Sequence, residues 1–232
     1  MKKKGYWIIG GAAVVLIGGG IIANSLMNSY LGNNVEIESV TTSGAAADAT
    51  TQSGSMVGAD ELNGAWTISD ESKVYWSITT SRETVNFVNE AVEGNWTVDL
   101  SDPAAMTGQG TVAMANLDSG NAQRDEHLQQ GDFFDVAAHP EAKFEATSFS
   151  ALPEEWTEGE KVPVELTGTM TVKGIEKEVT FASEAVYNGG QLLLSGTTTV
   201  TFQDFGLTNP HSVVLDTEND IKVQLELVLT KA

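Results

Sequence analysis

The feature that most constrains this chain is a hydrophobic repeat of period two, sustained over long stretches. Ile221, Val223, Leu225, Leu227 and Leu229 share one side of a segment whose other side carries Lys222, Gln224, Glu226 and Thr230. Val162, Val164, Leu166, Gly168, Met170 and Val172 alternate with Pro163, Glu165, Thr167, Thr169 and Thr171. Val74, Trp76 and Ile78 alternate with Tyr75, Ser77 and Thr79, and Leu192, Leu194, Gly196, Thr198, Val200 and Phe202 repeat in the same way. Side chains two residues apart point the same way in a strand, so these runs predict antiparallel strands with one dry and one wet face. Turn-forming groups such as Asn188-Gly189-Gly190 and Asp102-Pro103 separate them. The pattern gives about eight strands, several longer than the usual ~5–6 residues. Long strands with one continuous apolar face suit a sheet closed on itself, which also leaves no open edge. The expected fold class is therefore all-β, an eight-stranded antiparallel barrel.

One segment departs from the repeat. Asn121 is placed to cap a short helix over 122–130, and Gly131 to end it in the left-handed conformation. Arg124, His127 and Leu128 then share one helix face. Asp132-Phe133-Phe134-Asp135 and His139-Pro140 follow, before the strand around Phe144.

Composition narrows the chemistry. The chain has no cysteine, which removes thiol nucleophiles, CxxC redox pairs, cysteine zinc sites and disulfides together. Its 12 basic and 32 acidic residues, a formal charge of −20, argue against nucleic acid as a partner. Three of those basic residues are Lys2, Lys3 and Lys4, so the acidity belongs to the rest of the chain. His127, His139 and His211 have no metal-ligand spacing. Gly108-Gln109-Gly110-Thr111-Val112-Ala113 matches GxGxxA, but it leads into a strand and offers no helix N-terminus for a pyrophosphate. No GxSxG elbow occurs. No metal or cofactor is expected.

The lysines precede an apolar run from Tyr6 to Ala23. At ~1.5 Å per residue such a helix is close to the ~30 Å of a hydrocarbon core. The positive residues stay on the cytoplasmic side, so the chain beyond Ala23 is expected outside the cytoplasm, at the cell surface or in the periplasm. Ala23-Asn24-Ser25 would serve a cleaved signal peptide and a secreted product, but the run is long for one, which favours an uncleaved membrane anchor. The expected organisation is residues 1–30 as signal or anchor, 31–60 as a flexible Ser-, Thr-, Ala- and Gly-rich linker, and 61–232 as the barrel.

Three segments carry a family resemblance. The stretch from Asn121 to Asp135, with Pro140 and Phe144 after it, resembles the signature of the YceI-like polyisoprenoid-binding family. The segment from Gly168 to Phe181 is similar to that family's hairpin, and Asp204-Phe205-Gly206 to its third marker. The likeness covers Trp66 to the end. It implies an extended lipocalin-like barrel, exported in bacteria, that holds a polyisoprenoid or another long-chain lipid in an apolar pore, without a chemical step; a homodimer is compatible with it. Phe202 stands where the family often has an Arg, which removes a head-group contact expected there.

On this reading the ligand-binding candidates are the inward apolar residues Trp76, Ile78, Phe87, Trp96, Met114, Phe134, Phe144, Leu166, Met170, Phe181, Leu194, Val223, Leu225 and Leu227. Arg124 and His127 are polar candidates for a head group; against that, Arg124 has a structural role available, bracing the helix through Asp132 or Asp135. Each apolar residue serves equally well as plain core. Two rival functions share these residues: a quinone-associated accessory protein or enzyme dependent on Arg124 or His127, and a structural barrel filled by its own side chains.

Overall fold

Each period-two run becomes a strand, and the strands close on themselves. The computed structural model describes residues 34–43, 54–209 and 216–232. In chain order the strands are β1 (Met56–Val57), β2 (Gly64–Ile68), β3 (Lys73–Thr80), β4 (Thr84–Asn89), β5 (Val92–Val98), β6 (Thr107–Ala113), β7 (Glu141–Phe149), β8 (Trp156–Thr157), β9 (Lys161–Val172), β10 (Ile175–Asn188), β11 (Gln191–Thr201) and β12 (Thr217–Lys231). Three short helices accompany them: α1 (Val40–Ser43), α2 (Ala59–Leu62) and α3 (Ala122–Leu128). The membrane or signal helix expected over 6–23 lies outside the described residues, as does His211. Among the described residues no helix is long and apolar enough to cross a membrane.

The barrel is an antiparallel circuit of β2, β5, β6, β7, β9, β10, β11 and β12, with β12 returning to β2. Closure rests on β12, a strand of 15 residues that pairs with neighbours along both of its edges. One edge meets β11 from Gln191↔Thr230 to Thr201↔Asp220. The other meets β3 over Ile221↔Ile78 to Glu226↔Lys73, then β2 over Leu229↔Ile68 to Lys231↔Trp66. β2 and β3 are thus two parts of one stave, and β4 and β5, which pair with them, form the next.

Both broken staves are mended by polar side chains. Ser72, 1% exposed, accepts from the Val228 N–H (2.9 Å) and donates to the Val228 carbonyl (3.2 Å), completing the ladder between β2 and β3. Asn89 is fully buried, donates to the Ala113 carbonyl (2.7 Å) and accepts from the Ala91 N–H (2.9 Å) at the join of β4 and β5. A buried backbone group without such a partner would forfeit its hydrogen bonds to water uncompensated. The β10–β11 hairpin closes in two residues, Gly189 (φ 58°) and Gly190 (φ 83°), the left-handed pair that a tight hairpin twist requires.

α3 differs from expectation at its end. Asn121 caps it as expected, accepting from the N–H groups of Gln123 (3.1 Å) and Arg124 (3.3 Å). The helix stops at Leu128, however, and the left-handed residue is Asp135 (φ 47°) rather than Gly131. The chain folds back so that the Phe134 and Val136 N–H groups take the Leu128 and Gln129 carbonyls. That reversal carries Phe133, 8% exposed, into the barrel's end, so apolar burial decides where the helix terminates.

Asn34–Ser43, inside the stretch expected as linker, lies along the outer wall. Asn34 accepts from the Asn86 N–H (2.7 Å), and Asn86 donates back to the Val35 carbonyl (2.9 Å). Glu38 pairs with Lys73 at 3.2 Å. Val40 packs on Val186, Leu193 and Val228, and its N–H donates to Glu226 (2.9 Å). Glu226 is fully buried beneath this strap and also accepts from Ser195 (2.7 Å) and Gln224 (2.6 Å). Replacing it leaves three donors facing nothing. Glu226→Ala is expected to lower stability in urea unfolding by about 3 kcal/mol, and Glu226→Gln by less, because one acceptor oxygen survives.

A second polar clamp holds the chain after β11. Phe202–Phe205 form a single turn of tight helix with a reciprocal cap between Thr201 and Asp204, ended by the left-handed Gly206 (φ 60°). The Lys177 ammonium, 2.8 Å from Asp204, holds that carboxyl below the ordinary carboxylate range, helped by the Thr201 N–H. A depressed folded value means the stabilisation is complete above the unfolded value of ~3.9 and is lost as pH falls through the folded value. Melting temperatures of the wild type and Asp204→Asn should therefore differ at neutral pH, with the wild type higher, and converge below pH ~4.

Candidate functional site: an apolar pore in three chambers

The inward faces of the strands meet in one continuous apolar cluster running the length of the barrel. Side chains at i and i+2 face the same way, so β12 alone contributes Ile221, Val223, Leu225, Leu227 and Leu229. The interior is not completely filled. Among the described residues, chambers lie on either side of Trp76 and of Trp96.

The central chamber is bordered by Trp76, Trp96, Phe144, Met170, Phe181, Val223, Leu225 and Leu227, together with Ile68, Val74, Val92, Gly110, Val112, Ala142 and Lys143. Its cavity volume is about 50 Å³. Trp76 also borders a chamber of about 20 Å³ at the α3 end, with Ile78, Phe87, Leu128, Phe133, Phe134, Phe202 and Ile221 among its walls. Trp96 also borders one of about 30 Å³ at the α2 end, with Leu62, Phe149, Trp156, Leu166 and Leu194. A single water needs ~10–15 Å³ on this measure. The chambers are small, and Trp76 and Trp96 each border two of them.

Glycine on the inward face makes room for the large rings. A Cβ on Gly108 would stand 3.0–3.1 Å from the Trp96 ring carbons, and one on Gly168 would stand 2.6–2.7 Å from the Phe144 ring. Gly110 differs: a Cβ there would meet nothing closer than Ile68 at 3.7 Å, an ordinary contact, so its missing side chain is free space in the central chamber. Edge-to-face contacts order the rings further, with Trp96 on Phe149 at 5.8 Å and Phe144 on Phe181 at 5.2 Å between centroids. Trp76 and Phe134 lie 6.2 Å apart.

The indole N–H groups of Trp76 and Trp96 are buried without a hydrogen-bond partner. Leaving a buried donor unpaired costs about 1–3 kcal/mol. The Trp66 and Trp156 N–H groups, by contrast, donate to the Leu62 (2.8 Å) and Pro153 (2.9 Å) carbonyls.

The structure brings most of the expected residues together. Trp76, Ile78, Phe87, Trp96, Phe134, Phe144, Leu166, Met170, Phe181, Leu194, Val223, Leu225 and Leu227 all border one chamber or another. Met114 is buried in the same core but borders none of these chambers. Arg124 donates from Nε to Ser119 Oγ (2.8 Å) and from a terminal nitrogen to the Ser119 carbonyl (2.7 Å), and it stacks 5.8 Å from the Phe87 ring centroid. The bracing partner is thus Ser119, itself bonded to Asp125, where sequence pointed to Asp132 or Asp135. His127 is exposed on α3, edge-on to Phe133 at 5.1 Å. No group of three or more His, Asp or Glu suited to a metal ion occurs among the described residues.

Sequence reasoning missed Gly110, Phe133 and Phe202 as wall residues. The small inward set Gly108, Gly110 and Val112 on β6 was the available signal for internal space. Phe202 is 3% exposed and closes the α3 end with a ring where a cation would have offered charge.

The chain is similar to known proteins in sequence and, separately, in fold. A UPF0312 protein of Pseudomonas putida (strain GB-1) is 34% identical over 140 residues, covering 57% of this chain and 68% of its own length. A UPF0312 protein of Pseudomonas aeruginosa (strain LESB58) is 30% identical over 121 residues, covering 50% and 59%. The crystal structure of Burkholderia cenocepacia BcnA superposes with a TM-score of 0.59 at 20% identity, covering 69% of this chain and 98% of that one. A polyisoprenoid binding domain from Saccharophagus degradans, implicated in plant cell wall breakdown, does so at 0.58 and 11% identity, covering 72% and 98%. At these identities the structural likeness concerns the fold. The YceI-like domain model matches residues 66–229, a span that contains the barrel circuit apart from the first two residues of β2 and the last two of β12, and the chain belongs to the YceI-like family.

Proposed function

We propose that this protein binds a polyisoprenoid or similar long-chain lipid along the barrel axis, and that it carries or sequesters this lipid outside the cytoplasm, tethered through residues 1–30. The observation that carries the reading is the apolar cluster that lines the barrel interior and leaves chambers on either side of Trp76 and of Trp96. Side chains can turn where backbone cannot, so a slender chain that displaces the two rings gains one uninterrupted channel. Each methylene buried contributes ~0.8 kcal/mol, and a long chain accumulates affinity with few polar contacts. Branched five-carbon units match a wall of Leu, Val, Phe and Met, and the thioether of Met170 adapts to irregular shapes. Family membership and the polyisoprenoid-binding neighbour support the same ligand class. Arg124 is engaged by Ser119 and His127 faces solvent, so the interior favours holding a lipid over transforming one.

The full chain, expressed in a bacterium and extracted with organic solvent, should yield a long-chain lipid by mass spectrometry. Gly110→Val places a branched side chain, well suited to a strand, in the central chamber and should reduce that yield by about tenfold or more while the barrel still unfolds cooperatively. An extract free of lipid from the wild type, or equal yields from both proteins, would overturn the reading.

A further inference from the structure

Two breaks in the barrel wall lie side by side. The pairing of β2 with β5 ends at Thr67↔Asn95, and that of β3 with β4 begins at Val74↔Asn89. Among the described residues no registered strand pair joins residues 68–73 to residues 90–94, so a seam runs between the two broken staves. Ser72 ties one lip to Val228 on β12, and Asn89 ties the other to Ala113 on β6; both contacts lead away from the seam. Behind it lies the central chamber, which Ile68 and Val92 border from opposite lips, with Val74 beside them.

Little holds the seam shut. On the inside, a Cβ on Gly94 would stand 2.9 Å from the Ile68 δ-methyl and one on Gly110 would stand 3.7 Å from it, so that methyl lies over a cross-strand pair without side chains. Gly94 and Gly110 stay half-exposed, while Val92, Trp96 and Val112 on the same two faces are buried. On the outside, the Lys73 ammonium reaches Glu90 across the seam at 3.2 Å and holds Glu38 of the strap at the same distance. Both carboxylates are exposed, and such ion pairs separate readily. The barrel ends are stopped more firmly, by buried Leu62 and Trp156 at the α2 end and by buried Phe133 and Phe202 at the α3 end.

We propose that this seam is a side door: the Lys73–Glu90 contact opens, the lips part, the Ile68 side chain swings off Gly94 and Gly110, and a slender apolar molecule reaches the central chamber without passing either end. The inference concerns access to the chamber and does not depend on what the chamber holds. Val92 to Gly94 remain paired with β6, so the moving lip is residues 68–73. At ~3.3 Å per residue the five residues of the fixed lip extend for ~17 Å, which suits a flat ring or an extended chain entering edge-on.

A reversible lock tests the door. Lys73 and Glu90 continue the Val74↔Asn89 register, and opposed residues of an antiparallel pair lie ~4.5–5.5 Å apart at Cα, within the reach of a disulfide. The chain has no cysteine of its own, so Lys73→Cys with Glu90→Cys makes a single pair. Stopped-flow mixing of the full chain with bromobenzene, which quenches indole fluorescence on contact and does not alkylate thiols, reads arrival at Trp76 and Trp96. Oxidising the pair should slow that quenching about tenfold or more, and reducing it should restore the rate. Glu90→Gln, which removes one exposed charge, should quench about two- to fivefold faster than the wild type. Equal rates in the oxidised and reduced protein would overturn the side door and place entry at an end, leaving the lipid reading untouched. Absence of any quenching in the wild type would overturn it as well.

Discussion

Everything in this molecule depends on β12 using both of its edges. A strand paired on one side only would leave a row of N–H and C=O groups open to water or to another chain. Here one edge is taken by β11 and the other by β3 and then β2, so the eight-stranded circuit closes on itself. Closure converts a set of amphipathic strands into an enclosed apolar volume, and that volume is the feature with functional potential. Ser72 and Asn89 belong to the same requirement, since they supply the partners that the broken staves would otherwise lack. Both side chains are spent on backbone groups at the breaks in the barrel wall.

Inner and outer surfaces divide the composition between them. The 41% of apolar residues cannot all be core, but within the barrel they are concentrated on one side of each strand. The 32 acidic residues are compatible with closure because the opposite side faces water, where charge favours solubility. Glu226 is the exception that tests the rule. It points outward like its neighbours in the alternation, yet it is buried, because a non-strand segment lies over it.

What the sequence made legible follows the range of the interactions involved. Strand direction, the dry face and the likelihood of closure are encoded two residues at a time, and Val223, Leu225 and Leu227 are readable without any partner being known. The chambers beside Trp76 and Trp96 were not readable, because they depend on which inward rings meet across the lumen from β3 and β5. Arg124 illustrates the same limit: its place on one helix face was evident, but its partner Ser119 lies before the helix and was not. The end of α3 was misplaced because burial of Phe133 outweighed the local preference of Gly131. The strap has no period at all, and its anchoring residues, Asn34, Glu38 and Val40, look like any others in a polar, small-residue stretch.

The strap has a mechanical consequence. Any pull arriving through the chain ahead of Asn34 meets the outer contacts one after another: the Asn34–Asn86 pair, then Glu38 on Lys73, then Val40 on Glu226. Bonds loaded in sequence peel at low force, whereas the β11–β12 ladder, loaded along its length, resists in shear with many bonds at once. The strap is thus a sacrificial fastening. If the chain is tethered as proposed, tension releases the strap before it deforms the lumen, and a lipid held inside would be insulated from that motion.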